Sequence, residues 1–338
     1  MVKIWIDMVN IPHVHFFHPM IRNLTQYDYV LTYRARGETY ELAKLLGLPG
    51  KNIGSDSRST FRKVVNIQMR TLRLLAEVRG YDWILSLENA MSILNGVMKG
   101  KRSLLFLDND IKYKKIKSVF QRYENRIKNM SHRVIVPRSS LEEFSRHIDS
   151  AKLIGFEGYK EDIYLSYYEP DPEFLKKVPC DDFVVIRPET LGSLYVRKNR
   201  SLVPDLIKAL KRENYNMIYL PREKEDYEFG RVDGVHMPDN VLNGLDLCHY
   251  SKAVLTGSGT MAREGAIMGK CSVSFYPGGD LLSVDRDLID KGMMFHSLDP
   301  AEIVDHISKS TDSGMDESRK RSQKARNELF GLISKIIK

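Results

Sequence analysis

The chain has 338 residues, a length that suggests two domains of about 150 residues each. Hydrophobic residues make up 42% of the chain and charged residues 28%, a globular balance that excludes a wholly disordered protein. The net charge of +8 suits anionic partners without by itself indicating nucleic acid.

The number of cysteines and the length of the apolar runs indicate the cellular compartment in which we expect the protein. Cys180, Cys248 and Cys271 are isolated, which excludes a disulfide framework and a cysteine-rich zinc site. No apolar run approaches the ~18 residues of a membrane span. Asp7 comes too early for the apolar core of a signal peptide. We therefore expect a soluble, cytoplasmic protein.

Short β-rich runs alternate with longer amphipathic runs through the first half of the chain. The predicted strands are 3–8, 29–34, 83–88, 102–108 and 133–137. The predicted helices are 15–26, 40–46, 60–78, 90–98 and 111–129. Most of these strands are nearly continuous apolar runs, which is typical of parallel strands covered on both faces. The alternation predicts a doubly wound α/β sheet.

The alternation stops at 158–179, where three prolines within ten residues and several acids predict a linker. Strands then resume at 183–187, 216–220, 253–256, 272–276 and 294–296. The accompanying helices are 200–213, 241–249, 260–268, 281–290, 300–308 and 317–337. We predict a first Rossmann-like domain at 1–165, a second at 166–315 and a C-terminal helix at 316–338.

The strongest local motif is the turn Gly257-Ser258-Gly259-Thr260, which follows a strand and opens a helix. The glycines let the backbone turn tightly and approach a ligand. Ser258 or Thr260 can cap the helix, whose first N–H groups and dipole favour a phosphate. Glu264 lies one turn further on the same face, within reach of ribose hydroxyls. The alternative is an ordinary glycine-bearing turn with a solvent-facing Glu264.

This turn resembles part of the GT-B fold. Two α/β domains, a Ser-Gly-Thr turn in the second and a Glu six residues after that Ser are similar to UDP-N-acetylglucosamine 2-epimerases and MurG-like glycosyltransferases. The segments DMVNIPHVHFF at 7–17 and GSGTMAREGA at 257–266 more closely resemble an uncharacterised archaeal and bacterial "domain of unknown function" family grouped with GT-B proteins.

The resemblance implies two Rossmann-like domains that face each other across a cleft. It assigns the diphosphate to Ser258, Gly259 and Thr260, and the ribose to Glu264. It also implies that the C-terminal helix packs back on the first domain.

His13, His15 and His18 follow the first predicted strand. His-x-His at such a place also suggests zinc in a metal hydrolase of the amidohydrolase type. Such a site needs further ligands at later strand ends, but His132 precedes its strand and His249 lies within a helix, so we expect no metal. MurG-like proteins have Gly-His-Val-Phe-Pro here, and the resemblance places His13 in the cleft. His13 would then be a general base with a pKa near neutrality, whereas His15 and His18 line a helix face.

Glu88 and Asp108 each end a predicted strand of the first domain. In a doubly wound sheet, both positions lie at the carboxyl edge, where ligands bind. By resemblance to the epimerases, they take the places of two acidic active-site residues. Asp108-Asn109-Asp110 also matches the Asp-x-Asp metal motif of another transferase fold. The alternative role of these acids is to cap the helices that follow.

Arg187 and Arg222 follow the first two predicted strands of the second domain. A guanidinium there would neutralise a leaving diphosphate, and the alternative is a solvated surface arginine. Epimerases carry His-Arg-Arg-Glu at the first of these places. This chain has Ile186-Arg187-Pro188-Glu189, so the histidine is missing.

The predicted helices 111–129 and 317–337 are basic and amphipathic. In the first, Ile116, Phe120, Tyr123 and Ile127 recur at helical spacing. Such a helix either lies on an anionic membrane or packs into the core with a solvated basic face.

The sequence thus predicts a nucleotide-sugar enzyme that needs no metal and no cofactor, and within that class a glycosyltransferase. A UDP- or GDP-linked donor would bind the second domain. A lipid-linked or protein acceptor would bind the first, with peripheral membrane contact through the basic helices. A nucleotide-sugar 2-epimerase or hydrolase, and a non-catalytic module that scaffolds a membrane glycosylation complex, are the alternatives. No nucleic acid is expected, because only net charge would support it.

Overall fold

The computed structural model describes residues 1–35, 39–55, 60–116, 118–189, 201–311 and 314–338. The chain forms two compact units. Unit 1 comprises residues 1–164 and 324–338, and unit 2 comprises residues 165–323. Each unit has its own parallel β-sheet.

Unit 1 is built on seven parallel strands. Its strands are β1 (Lys3–Met8), β2 (Asp28–Ala35), β3 (Lys51–Ser55), β4 (Trp83–Leu87), β5 (Arg102–Phe106), β6 (Arg133–Pro137) and β7 (Leu153–Phe156). Its helices are α1 (Ile11–Asn23), α2 (Thr39–Leu45), α3 (Thr60–Glu77), α4 (Ala90–Met98), α5 (Ile111–Lys114), α6 (Val119–Asn129), α7 (Leu141–Ser145) and α8 (Lys160–Leu165).

The strand order in unit 1 is β3-β2-β1-β4-β5-β6-β7, so the winding reverses between β1 and β4. Apolar side chains cover both faces of this sheet. On β1, Ile4 and Ile6 join one buried cluster and Trp5 joins another. Burial on both sides explains why the strands lack an apolar–polar alternation. The predicted doubly wound sheet is confirmed.

Unit 2 repeats the plan with six parallel strands. Its strands are β8 (Val184–Arg187), β9 (Met217–Tyr219), β10 (Val235–His236), β11 (Ala253–Thr256), β12 (Cys271–Ser274) and β13 (Phe295–His296). Its helices are α9 (Val203–Arg212), α10 (Tyr227–Gly230), α11 (Gly244–Tyr250), α12 (Gly259–Ile267), α13 (Ser283–Asp290), α14 (Pro300–Lys309) and the start of α15 (Met315–Ile336). The order β10-β9-β8-β11-β12-β13 reverses between β8 and β11.

The predicted linker at 158–179 contains the point where the chain passes from unit 1 to unit 2, between residues 164 and 165, but it is not an open segment. Helix α8 and a short 3-10 helix (Phe174–Lys177) lie within it, and four of its aromatic side chains are buried: Tyr159, Tyr164, Tyr168 and Phe174. The Tyr168 hydroxyl and the Asp171 N–H both donate to Asp246. Packing of these rings outweighs the prolines that suggested an open segment.

Two predicted helices also differ from the structure. The predicted helix 111–129 is two helices, α5 and α6, with residue 117 outside the described part of the chain. The first predicted helix begins at Ile11 and not at residue 15, because Asn10 caps it and Pro12 occupies its first turn. The predicted helix 200–213 is α9, and its first predicted residue lies outside the described residues.

The last turns of α15 belong to the core of unit 1. Leu329, Ile333 and Ile337 are buried in the same cluster as Ile4 and Ile6. The Tyr27 hydroxyl donates to the Ile337 carbonyl at 2.9 Å, which ties the end of the chain to unit 1. In the described part of the chain, no helix is both long and apolar enough to cross a membrane.

Candidate functional site

Both units place polar residues where the strand order reverses. In a doubly wound sheet, the carboxyl ends of the two strands at this switch point diverge and leave room for a ligand. In unit 2 these strands are β8, which ends at Arg187, and β11, which runs into Gly257. In unit 1 they are β1 and β4, which Glu88 follows.

Gly257 joins the two strand ends of unit 2. Its N–H donates to the Arg187 carbonyl at 3.0 Å. A Cβ at this position would lie 2.4 Å from the Cβ and 2.5 Å from the Cα of Glu189. No side chain fits there without displacing backbone, so the turn requires a glycine on steric grounds.

The turn leads directly into α12, with Ser258 at the N-cap position. The Ser258 N–H donates to the Thr256 hydroxyl at 2.8 Å, but the Ser258 side chain makes no capping hydrogen bond. Ser258, Gly259 and Thr260 are all partly exposed. The start of α12 therefore presents backbone donors and a hydroxyl that capping does not use.

Two contacts fix α12 against the rest of unit 2. A Cβ at Gly265 would meet Val254 at 3.1 Å, so the missing side chain lets the helix lie close to β11. On its other side, buried Arg263 donates to Asp285 at 2.8 Å. These contacts hold the helix N-terminus in a constant position.

Arg187, Arg222 and Glu264 come together at this switch point. Burial and the charge of Arg222 lower the pKa of Arg187, while Glu264 opposes that shift, so all three side chains lie within electrostatic reach. The Nε atom of Arg187 is buried and has no hydrogen-bond partner among the residues that the structure describes. Buried Glu189 lies beside Gly257, so two guanidinium groups and two carboxylates are grouped at this switch point.

At the switch point of unit 1, the carboxylate of Asp7 is fully engaged. Arg70 donates to its two oxygens at 2.6 and 2.9 Å, Thr32 donates at 2.7 Å and Asn89 at 2.8 Å. All four side chains are buried. This network fixes the end of β1 and the start of the segment that carries His13.

His13 is buried in the first turn of α1, and its N–H donates to the Asn10 side chain at 3.2 Å. Burial lowers its pKa to about 4, against the opposing effects of Asp7, whose backbone the ring hydrogen bonds. Nδ1 has no partner. The predicted pKa near neutrality is therefore wrong: His13 is a neutral imidazole with one unused nitrogen.

Glu88 has a backbone φ of +53°, a left-handed conformation that is strained for a residue with a side chain. Lys128 donates to its Oε2 at 2.6 Å, and the N–H groups of Asp108 and Asn109 reach its Oε1 at 3.3 Å. Burial would raise the pKa of Glu88, but Lys128 and Lys112 outweigh burial and lower it to about 2. Glu88 is therefore a carboxylate at every physiological pH.

Asp108 is paired in the same manner. Buried Lys160 donates to its Oδ2 at 2.6 Å. The alternative role of Glu88 and Asp108 as helix caps is not observed, because Asn89 caps α4 and Asp110 occupies the N-cap position of α5. The charges of Glu88 and of Lys160, the partner of Asp108, both shift the pKa of His13. The predicted catalytic residues His13, Glu88 and Asp108 therefore lie in one polar group of unit 1.

Comparison with protein families identifies the chain over almost its whole length. The model of the family described as "Protein of unknown function (DUF354)" matches residues 2–337. The chain belongs to this family. An uncharacterized protein of Methanocaldococcus jannaschii is 28% identical to it over 318 residues, which cover 90% of this chain and 91% of that protein.

Solved structures show the fold of this DUF354 chain. The UDP-GlcNAc 2-epimerase of Methanocaldococcus jannaschii matches with a TM-score of 0.71 at 12% identity, over 98% of this chain and 99% of that one. Its complex with UDP-GlcNAc and UDP matches at 0.68 and 14%, over 95% and 98% of the two chains. The glycotransferase of kitacinnamycin matches at 0.59 and 13%, over 100% and 99%. The fold is GT-B-like, with two Rossmann-type domains, as the resemblance implied.

The structure of the DUF354 chain adds residues that the sequence did not indicate. These are the cations that hold the unit 1 carboxylates: Arg70, Lys128 and Lys160. Each lies between 40 and 63 residues from its partner, so no local sequence pattern joins the two. Among the described residues, no three His, Cys, Asp or Glu side chains converge so that they would hold a metal ion.

Proposed function

We propose that this DUF354 protein binds a nucleotide sugar through unit 2 and transfers the sugar to an acceptor held by unit 1. The observation that carries the proposal is the buried, unpartnered Nε of Arg187 at the unit 2 switch point. A buried donor without an acceptor is costly. A diphosphate supplies charged oxygens that would satisfy it.

The neighbouring groups suit the rest of a nucleoside diphosphate. Backbone N–H groups of Gly259 and Thr260, the hydroxyl of Ser258 and the guanidinium of Arg222 would share the phosphate oxygens. Glu264, one turn into α12, would accept hydrogen bonds from the ribose hydroxyls. The structures of epimerases with UDP-GlcNAc and UDP support a nucleotide sugar as the ligand class.

Loss of the sugar leaves an additional negative charge on the diphosphate. Two guanidinium groups and fixed backbone donors would stabilise that charge as it develops, because they need no rearrangement during the reaction. Arg187 is suited to this task, since its strand position and burial hold it in place. In this proposal, unit 2 therefore lowers the barrier to departure of the leaving group.

The acceptor hydroxyl would meet the polar group of unit 1. His13 would receive its hydrogen bond at Nδ1, the nitrogen that has no partner within the described part of the chain. With a pKa of about 4, the imidazole is a weak base, so it would take the proton only as the new bond forms. Glu88 and Asp108, both held by lysines, would orient the acceptor through their remaining lone pairs.

Epimerisation or hydrolysis of the same nucleotide sugar is the second candidate, favoured by the likeness to UDP-GlcNAc 2-epimerases. One residue argues against epimerisation. Ile186, which the sequence resemblance aligns with a histidine of the epimerases, is an apolar side chain buried in the unit 2 core. No imidazole is present there to take part in the reaction.

Isothermal titration with UDP- and GDP-sugars tests the binding step. We expect one of them to bind, and Glu264→Ala to weaken binding by about tenfold because two ribose hydrogen bonds are lost. Glu302→Ala, which removes a carboxylate from the first turn of α14, is the control. Failure of every nucleotide sugar to bind, or equal binding by Glu264→Ala, contradicts the proposal.

Incubation of the bound donor without an acceptor tests the reaction. A glycosyltransferase leaves the donor almost intact until an acceptor is added. Conversion of the sugar in the absence of an acceptor identifies an epimerase, and release of free sugar identifies a hydrolase. Binding without any turnover over a broad acceptor panel favours the non-catalytic module.

A further inference from the structure

The outer side of α6 leaves apolar side chains in water. Val119 is 82% exposed and Tyr123 is 52% exposed, and Phe120 and Ile116 beside them are also exposed. Val119, Phe120 and Tyr123 lie at i, i+1 and i+4, so they share one side of the helix. Of the four apolar residues predicted at helical spacing, Ile127 alone is buried. The stripe is therefore not core packing.

Positive charge is concentrated in the same segment. Residues 111–130 contain seven Lys or Arg and one Glu, a net charge of 7 − 1 = +6 in a chain whose total is +8. Lys112 and Lys128 turn inward to Glu88. Arg122 and Arg126 are exposed beside the apolar side chains, and Lys115 is exposed just before the helix.

We propose that this surface, the α6 patch, binds the headgroup region of an anionic lipid bilayer. The patch consists of Ile116, Val119, Phe120, Arg122, Tyr123 and Arg126. A bilayer surface offers apolar acyl chains directly beneath negative phosphates, which matches apolar side chains flanked by guanidinium groups. The binding is independent of the proposed reaction, since it involves none of the groups assigned to the nucleotide sugar.

Charge argues against a second copy of the chain as the occupant. A two-fold interface would place the α6 patch against itself and bring its positive charges together. Nucleic acid would satisfy the arginines but would leave Val119 and Ile116 without an apolar partner. An anionic bilayer satisfies both kinds of side chain.

The α6 patch lies close to the polar group of unit 1, so membrane binding there would serve the proposed reaction. The opposite side of α6 carries Lys128, whose Nζ lies 2.6 Å from Glu88 in the polar group of unit 1. A bilayer on the outer side would therefore be separated from that polar group only by the width of α6. An acceptor anchored in lipid would reach it without leaving the membrane.

Co-sedimentation of the full chain with vesicles tests the proposal. We expect binding to phosphatidylglycerol mixed with phosphatidylcholine, little binding to phosphatidylcholine alone, and weaker binding at high salt. Val119→Ser/Tyr123→Ser should lower the partition coefficient about tenfold. Val241→Ser/Tyr227→Ser in unit 2 is the matched control, since these side chains are 79% and 49% exposed and should leave binding unchanged.

Charge reversal tests the electrostatic part. Arg122→Glu/Arg126→Glu should lower the partition coefficient at least about tenfold. Lys208→Glu/Arg212→Glu reverses two exposed charges at the same spacing on α9 and should have a much smaller effect. Several results would overturn the proposal: no vesicle binding, equal losses in patch and control variants, self-association that the patch variants abolish, or retention of oligonucleotides in place of vesicles.

Discussion

Both switch points hold buried charged side chains, but these side chains have different partners in the two units. In unit 1, the carboxylates that lie at or just beyond the ends of β1, β4 and β5 are each held by a buried cation. The pairs are Asp7–Arg70, Glu88–Lys128 and Asp108–Lys160. In unit 2, Arg187 keeps a buried donor without a partner beside a second arginine. Buried charges persist only when they are compensated. Unit 1 therefore compensates these charges internally, whereas in unit 2 we propose that a bound anion supplies the partner of Arg187.

The largest expected effect lies in unit 1. Arg70→Ala leaves the buried carboxylate of Asp7 without its charged partner, so we expect a loss of about 3–5 kcal/mol in the free energy of unfolding. Urea denaturation measures it. Lys51→Ala, which breaks an exposed ion pair with Glu77, is the control and should cost at most about 1 kcal/mol. Equal losses in both variants would show that the Asp7 network is not a structural element.

The buried imidazole of unit 1 makes stability depend on pH. The pKa of His13 is 6.5 in its ordinary state and about 4 in the folded protein, so the unfolded chain binds more protons between these values. Stability is thus lost as the pH falls from 6.5 to 4, by about 3 kcal/mol in total. His13→Gln should reduce the slope of the stability curve in this window without removing it, because burial also lowers the pKa of His15 to about 4. Urea denaturation at each pH measures the slope.

Glu88→Gln is the control for that measurement. The pKa of Glu88 falls from 4.5 to about 2 on folding, so its contribution is lost only below pH 4.5. A flattened curve between pH 6.5 and 4.5 in Glu88→Gln, or an unchanged curve in His13→Gln, would contradict the assignment.

In unit 2, the expected effect falls on binding. Arg187→Gln removes the charge that faces the diphosphate, so the affinity for a nucleotide sugar should fall by about 10- to 100-fold. Isothermal titration measures the change. Arg212→Gln, on the exposed side of α9, is the control and should bind normally. An unchanged affinity in Arg187→Gln would place the anion elsewhere.

The smallest expected effect concerns the turn itself. Gly257→Ala puts a Cβ 2.4 Å from the Glu189 Cβ, which should destabilise the protein by about 1–3 kcal/mol. Gly259→Ala should cost less, because the first atom it meets is the end of the Arg263 side chain at 3.0 Å. Thermal unfolding compares the two variants. The reverse order of stability would contradict the proposed strand-to-strand contact.

The predictable parts of the molecule are those set by local pattern. Strands such as β1 and β4 could be predicted because burial of both sheet faces makes them continuous apolar runs. Strand β3 was missed because its residues, Lys-Asn-Ile-Gly-Ser, carry little β signal, and β10 because it has only two residues. The tight turn at Gly257 is predictable because this glycine lies between a predicted strand and a predicted helix.

The ion pairs of unit 1 cannot be predicted from the sequence. Arg70 lies 63 residues from Asp7, and Lys128 lies 40 residues from Glu88, so no local spacing joins them. The low pKa of His13 likewise follows from burial, which depends on how α1 packs. Tertiary contacts decide both the charge state and the role of these side chains.

A crystal structure of the protein soaked with a mixture of UDP- and GDP-sugars tests the central claim most directly. We expect density for a diphosphate about 3 Å from Arg187 Nε and from the N–H groups of Gly259 and Thr260, with a ribose against Glu264. A nucleotide bound elsewhere, with Arg187 Nε still unpartnered, would contradict the account.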